Sequence, residues 1–133
     1  MKLRTQSIIR LSLCFVAAGL ILASCTNHDN NYRPSQLVGK WVETVNGSQG
    51  TEYYRFDTGD SVMTGVTWDV ADDVSEEEGQ PFEWTLDKDQ LTIVHIMEMG
   101  GRIPKVYNVT KLTSSILTIK DNYGQSTDYE KVY

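Results

Sequence analysis

Apolar and polar residues alternate with period two in several stretches of this chain, clearly in three of them, and no window repeats convincingly at 3.6. β-branched and aromatic side chains fill the alternating stretches, as pleated strands favour. The pattern predicts eight strands: Lys40–Val45, Thr51–Phe56, Ser61–Val70, Pro81–Leu86, Leu91–Met99, Ile103–Thr110, Ile116–Lys120 and Ser126–Val132. Turn-forming clusters separate them, among them Asn46-Gly47-Ser48, Asp57-Thr58-Gly59-Asp60, Gly100-Gly101 and Asn122-Tyr123-Gly124. One connection, Ala71 to Gln80, is longer and rich in Asp and Glu.

Three strands show their faces plainly. Val62, Val66, Trp68 and Val70 share one side; Phe82, Trp84 and Leu86 share another; Leu91, Ile93, His95, Met97 and Met99 share a third. Val94 and Ile96 interrupt the third pattern, which suggests a strand covered on both sides. Gly65 inside a long strand suggests a kink, and Pro104 an edge or a bulge. Short strands at hairpin spacing make an antiparallel meander, and an open meander leaves two bare edges. The expected fold is therefore all-β, an eight-stranded up-and-down barrel, with a two-sheet β-sandwich as the alternative. Eight strands enclose space for packed side chains or one small ligand.

The N-terminus follows different rules. Lys2, Arg4 and Arg10 precede Leu11–Ala23, an uncharged run of thirteen residues. That run is short of the roughly 20 apolar residues a bilayer-spanning helix needs. A basic start, a short apolar core and small residues before a cysteine mark an export signal. Leu22-Ala23-Ser24-Cys25 resembles the lipobox read by bacterial lipoprotein signal peptidase. The resemblance implies cleavage before Cys25, lipidation of that cysteine with diacylglycerol and a further acyl chain such as palmitate, and attachment to a membrane. An ordinary export signal cut nearby is the alternative. Thr26 in place of Asp favours the outer membrane of a Gram-negative cell. The expected organisation is a signal peptide over 1–24, lipidated Cys25 with a flexible tether over 25–36, and the barrel over 37–133.

Cleavage changes the charge. The first 24 residues carry three basic and no acidic side chains, so their loss takes the formal charge from −6 to −9. An acidic body argues against nucleic acid as a partner and leaves a basic protein possible. Cysteine usage is equally restrictive. Cys14 lies in the signal and Cys25 takes lipid, which leaves no thiol pair for a disulfide or a metal. No cofactor or metal is expected, and the domain is expected to be a monomer.

Leu37-Val38-Gly39-Lys40-Trp41 opens the first strand, and its Gly39-x-Trp41 resembles the G-x-W start of lipocalins. With the lipobox, polar tether and meander, the chain resembles bacterial lipoproteins with a lipocalin-like domain. The resemblance implies that Trp41 plugs the closed end of a barrel against a basic residue from a late strand, Lys131 or Lys120. It also implies binding of a small apolar or amphipathic ligand rather than catalysis. Trp68, Phe82, Trp84, His95, Met97 and Tyr107 are the candidate lining; a packed core is the other use of the same side chains. His95 is the one histidine available to the domain, either as a satisfied interior residue or as a ligand-orienting donor.

Other motifs carry less. Asp57-Thr58-Gly59 resembles the D-T-G loop of aspartic proteases, but it occurs once and suits a turn. Asp72, Asp73, Glu76, Glu77 and Glu78 lack calcium-loop spacing and offer an acidic lip to a basic partner. A protein-interaction module, such as an inhibitor of a lysozyme-type enzyme, is thus the second functional expectation. A structural subunit of an envelope complex, recognisable by an exposed apolar patch, is the third. Nucleophile–base spacings and zinc motifs are absent from the sequence, and no enzyme activity is expected.

Overall fold

A computed structural model describes residues 31–133. Eight antiparallel strands follow one another round a closed barrel: β1 (Gly39–Val45), β2 (Ser48–Asp57), β3 (Met63–Asp69), β4 (Gln80–Asp87), β5 (Gln90–Ile96), β6 (Arg102–Leu112), β7 (Ile116–Lys120) and β8 (Ser126–Lys131). β1 pairs with both β2 and β8, so the meander closes on itself. The sandwich alternative is excluded by that closure.

Alternation sorts every strand into an inner and an outer face. Phe56, Phe82, Trp84, Leu91, Ile93, Val109 and Leu117 point inward and are almost fully buried. Phe56, Phe82 and Trp84 meet edge to face, with centroids 5.3–5.4 Å apart, a favoured aromatic geometry. The Trp84 indole N–H donates to the carbonyl of Thr64 at 2.9 Å, which satisfies its polar edge inside the core.

The up-and-down order places the turns alternately at two ends. The short helix α1 (Pro34–Leu37), the C-terminus and the turns at 58–62, 88–89 and 113–115 lie at one end. The β1–β2 turn and the connections 70–79, 97–101 and 121–125 lie at the other. The first end is closed. Leu37 and Trp41 are fully buried there, and the Trp41 indole N–H donates to the Leu37 carbonyl at 2.9 Å. Lys131 Nζ stands 5.3 Å from the Trp41 ring centre, a cation–π contact.

Several details differ from the expectations. The structured domain starts before Leu37: Tyr32 N–H donates to the Lys88 carbonyl, and Gln36 caps α1 by accepting from the Arg33 N–H at 2.8 Å. Local capping chemistry thus folds the last residues of the expected tether onto the closed end. Gly65 faces inward, and a side chain there would drive into the Phe82 ring and the Arg55 carbonyl. Close packing, rather than a kink, requires that glycine. Pro104 falls in the half of β6 that pairs with β5 alone, an edge-like stretch where a missing N–H is tolerated. Val94 and Ile96 lie on the outer face and are half-buried.

The acidic connection 70–79 forms two 3-10 turns, Val70–Asp72 and Glu76–Glu78. It is clasped to the barrel wall. Glu76 binds Lys40 Nζ and the Arg55 guanidinium, both at 2.7 Å, and these partners hold its carboxyl below the usual range. The expected signal peptide, the expected lipidation site Cys25 and residues 26–30 of the expected tether lie outside the described residues.

Candidate functional site

Above the packed half, the interior of the open end is not filled. A cavity of about 660 Å³ lies between the 70–79 and 97–101 connections, within the usual range for small-ligand sites. Met97 from the inner face and Val74 from the 70–79 connection supply apolar surface, joined from outside the barrel by Ile96 and the exposed Met99. A polar recess of about 210 Å³ adjoins it and shares Glu52 and Tyr54 with it.

Glu52 is the central polar group. It stands on the inward face of β2, two residues from Tyr54 and four from the core residue Phe56, so alternation forces its carboxylate into the barrel. Tyr129 Oη donates to Glu52 Oε1 at 3.0 Å. Burial raises the Glu52 carboxyl above the usual range; the tyrosine hydrogen bonds oppose this, and the charges of Glu43 and Asp69 reinforce it. Burial likewise pushes the Tyr54 and Tyr129 hydroxyls far up.

His95 lies below the cavity on the inward face of β5. It is 6% exposed, and neither ring nitrogen has a hydrogen-bond partner. Burial, with the charge of Lys105, lowers its pKa below the usual histidine value. Phe82 packs against it edge to face. One layer separates it from the cavity: the Gln80 amide, which donates to Met97 Sδ at 3.1 Å.

The candidate residues are therefore dispersed. Met97 lines the larger cavity, and Tyr107 lines the polar recess. Phe82 and Trp84 are inside the barrel but belong to the packed core beneath. Trp68 also lines the larger cavity, though not from the inner face of β3. Its register opposite Tyr53 turns it outward, where the two rings stack at 5.1 Å and 3°. Lys40 Nζ covers that stack at 5.2 Å from the Trp68 ring. The face it shares with Val66 was legible; the side of the wall that face occupies was not. Asp57 of the D-T-G turn is paired to Arg55 on the outer face.

Sequence reasoning missed Glu52, Tyr54, Asp69 and Tyr129. The signal was present for the first two. In Glu52-Tyr53-Tyr54-Arg55-Phe56, a buried Phe56 places Tyr54 and Glu52 on the same inner face. Among the described residues, no group of three His, Cys, Asp or Glu side chains is placed to hold a metal ion.

A meander barrel plugged at one end by an N-terminal tryptophan and open at the other over a cavity is the architecture of a ligand-binding barrel. The chain belongs to the lipocalin-like domain family, whose model matches residues 25–119. No curated protein and no solved structure matches it significantly.

Proposed function

We propose that this protein is a non-enzymatic, lipid-anchored binding domain that takes a small amphipathic molecule into the open end of its barrel. The cavity carries the reading: its walls are part apolar and part carboxylate and hydroxyl, so a ligand with both kinds of surface matches it. The filled lower half limits the depth of entry. The ligand sits in the mouth and does not thread the barrel.

The fold also orients the domain. The chain enters the barrel at the closed end, through Tyr32 and α1. Seven residues from Cys25 to Tyr32 span at most about 25 Å when extended. An acylated Cys25 therefore holds the closed end near the outer membrane and turns the mouth away from it. Cys25→Ser is expected to release the protein from the membrane fraction; retention there would count against the anchor.

Ligand entry is tested by thermal shift and tryptophan fluorescence with a series of medium-chain amphiphiles. Saturable stabilisation is expected, and Thr67→Phe, which fills the cavity from the inner face of β3, should abolish it. Binding unaffected by Thr67→Phe would place the ligand elsewhere.

A second reading rests on the exposed Asp72, Asp73, Glu77 and Glu78, which offer a basic protein an acidic edge. Glu76 is already neutralised by Lys40 and Arg55, which leaves this edge weaker than its composition suggests. A structural-subunit role has less support: the exposed Val45, Val62, Ile116 and Tyr123 are spread over both ends.

A further inference from the structure

We propose that the 70–79 connection is a flap, latched to the outside of the barrel by Glu76, and that its release opens the cavity at the mouth. This rests on the mouth being a binding site, as proposed above, and names what controls entry to it.

The flap is held by little besides that residue. It crosses the outer face of β3, where a side chain at Gly79 would strike Val66 and the Thr67 carbonyl. No residue of its two 3-10 turns is fully buried, and between the turns only Val74 is partly covered. Its backbone hydrogen bonds close its own turns: the N–H groups of Asp73, Glu78 and Gly79 donate to the carbonyls of Val70, Ser75 and Glu76. Among the described residues, the Glu76 carboxylate alone bonds residues 72–78 to the barrel. One oxygen takes Lys40 of β1 and the other takes Arg55 of β2, each at 2.7 Å. A segment with so little buried apolar surface opens at far less cost than the strands beneath it.

Latch and cavity share a wall. Val74, Glu78 and Gly79 of the flap line the cavity together with Trp68. Trp68 points outward from β3, yet it is only 6% exposed. Tyr53 stacks on its ring and Lys40 Nζ stands 5.2 Å from it. The flap, crossing the same outer face, supplies cover on the remaining side. Lys40 therefore holds Glu76 and Trp68 at once. Lifting Glu76 from its two partners removes one wall of the cavity and bares Trp68. Both ion pairs are partly exposed, so dissolved salt reaches and weakens them.

The test reads Trp68 directly. Trp41 and Trp84 are buried in the core, so acrylamide quenching of tryptophan fluorescence in the full chain reports on Trp68. Quenching is expected to rise with sodium chloride. Glu76→Ala should raise it about threefold at low salt and abolish the salt dependence. Decanol uptake, followed by stopped-flow fluorescence, should quicken by a similar factor in that variant. The salt series uses the unaltered protein and decides the matter even if the variant does not fold. Quenching unchanged by salt and by Glu76→Ala overturns the latch. Greater quenching without faster decanol uptake overturns its control of entry. Either result leaves the binding reading intact. Failure of decanol to bind the parent and the variant alike overturns the binding reading and the gate with it.

Discussion

The closed and open ends of this barrel are built on the same eight strands, with the same alternation, and they bury opposite things. At the closed end, Leu37, Trp41, Phe56 and Trp84 leave almost no exposed surface, and the indole N–H groups of both tryptophans reach backbone carbonyls. At the open end the inward positions hold Glu43, Glu52, Asp69, Tyr54 and Tyr129. The closed end pairs the indole groups it buries. The open end carries a half-buried carboxylate that resists ionisation, and His95, level with Phe82 between the two, keeps both ring nitrogens unpaired. The contrast teaches where selection for folding stops: the closed half supplies the stability that lets the mouth stay polar and partly empty.

Substitutions at the two ends should therefore act with opposite sign. The largest effect is expected at the plug. Trp41→Ala leaves a cavity and an unpaired Leu37 carbonyl, and should cost about 3–5 kcal/mol. In a domain of this size each kcal/mol lowers Tm by about 4–8 °C, which calorimetry resolves easily. A loss under about 1 kcal/mol would mean that the closed end is not the stabilising half.

Gly65→Ala follows, at about 1–3 kcal/mol, because its methyl meets the Phe82 ring and a fixed backbone carbonyl. Urea unfolding measures it, and an unchanged midpoint would show that the core at Phe82 has slack. Lys131→Met keeps the stem over Trp41 and removes the charge. A loss of about 0.5–1 kcal/mol is expected, shrinking little in high salt if the contact is sheltered.

The smallest effect has the other sign. Glu52 has a raised pKa in the folded state, so its stabilising contribution is complete below the ordinary carboxylate range and is lost as pH rises through the raised value. Glu52→Gln retains an acceptor for Tyr129 and should gain up to about 1 kcal/mol at pH 7. The gain should vanish near pH 4. A Glu52→Gln variant less stable than the parent at neutral pH would place Glu52 in the supporting structure and dissolve the contrast between the ends.

Much of this was legible in the chain. All eight strands occur close to their expected bounds, because β-strands announce themselves locally through alternation and turn residues. Asn46-Gly47 adopts the positive φ values that its hairpin needs. The mouth was less legible. Trp68 belongs to a face the sequence resolves, yet alternation fixes faces only relative to one another. Which of them turns inward depends on the pairing of Tyr53 with Trp68 and of Gly65 with Phe82. The same ambiguity hid Glu52: a carboxylate inside a barrel violates the usual assignment of charge to solvent.

By itself, then, the sequence determined the number of strands, their order, the acidic balance and the tryptophan at the start of β1, since each follows from local spacing or composition. Closure of β1 onto β8, the filling of one half by Phe56, Phe82 and Trp84, the gathering of Glu52 with Tyr129 from 77 positions away, and the isolation of His95 were decided only by the tertiary structure. Those features depend on register and on which side chains share a layer, and register is set by contacts between residues far apart in the chain.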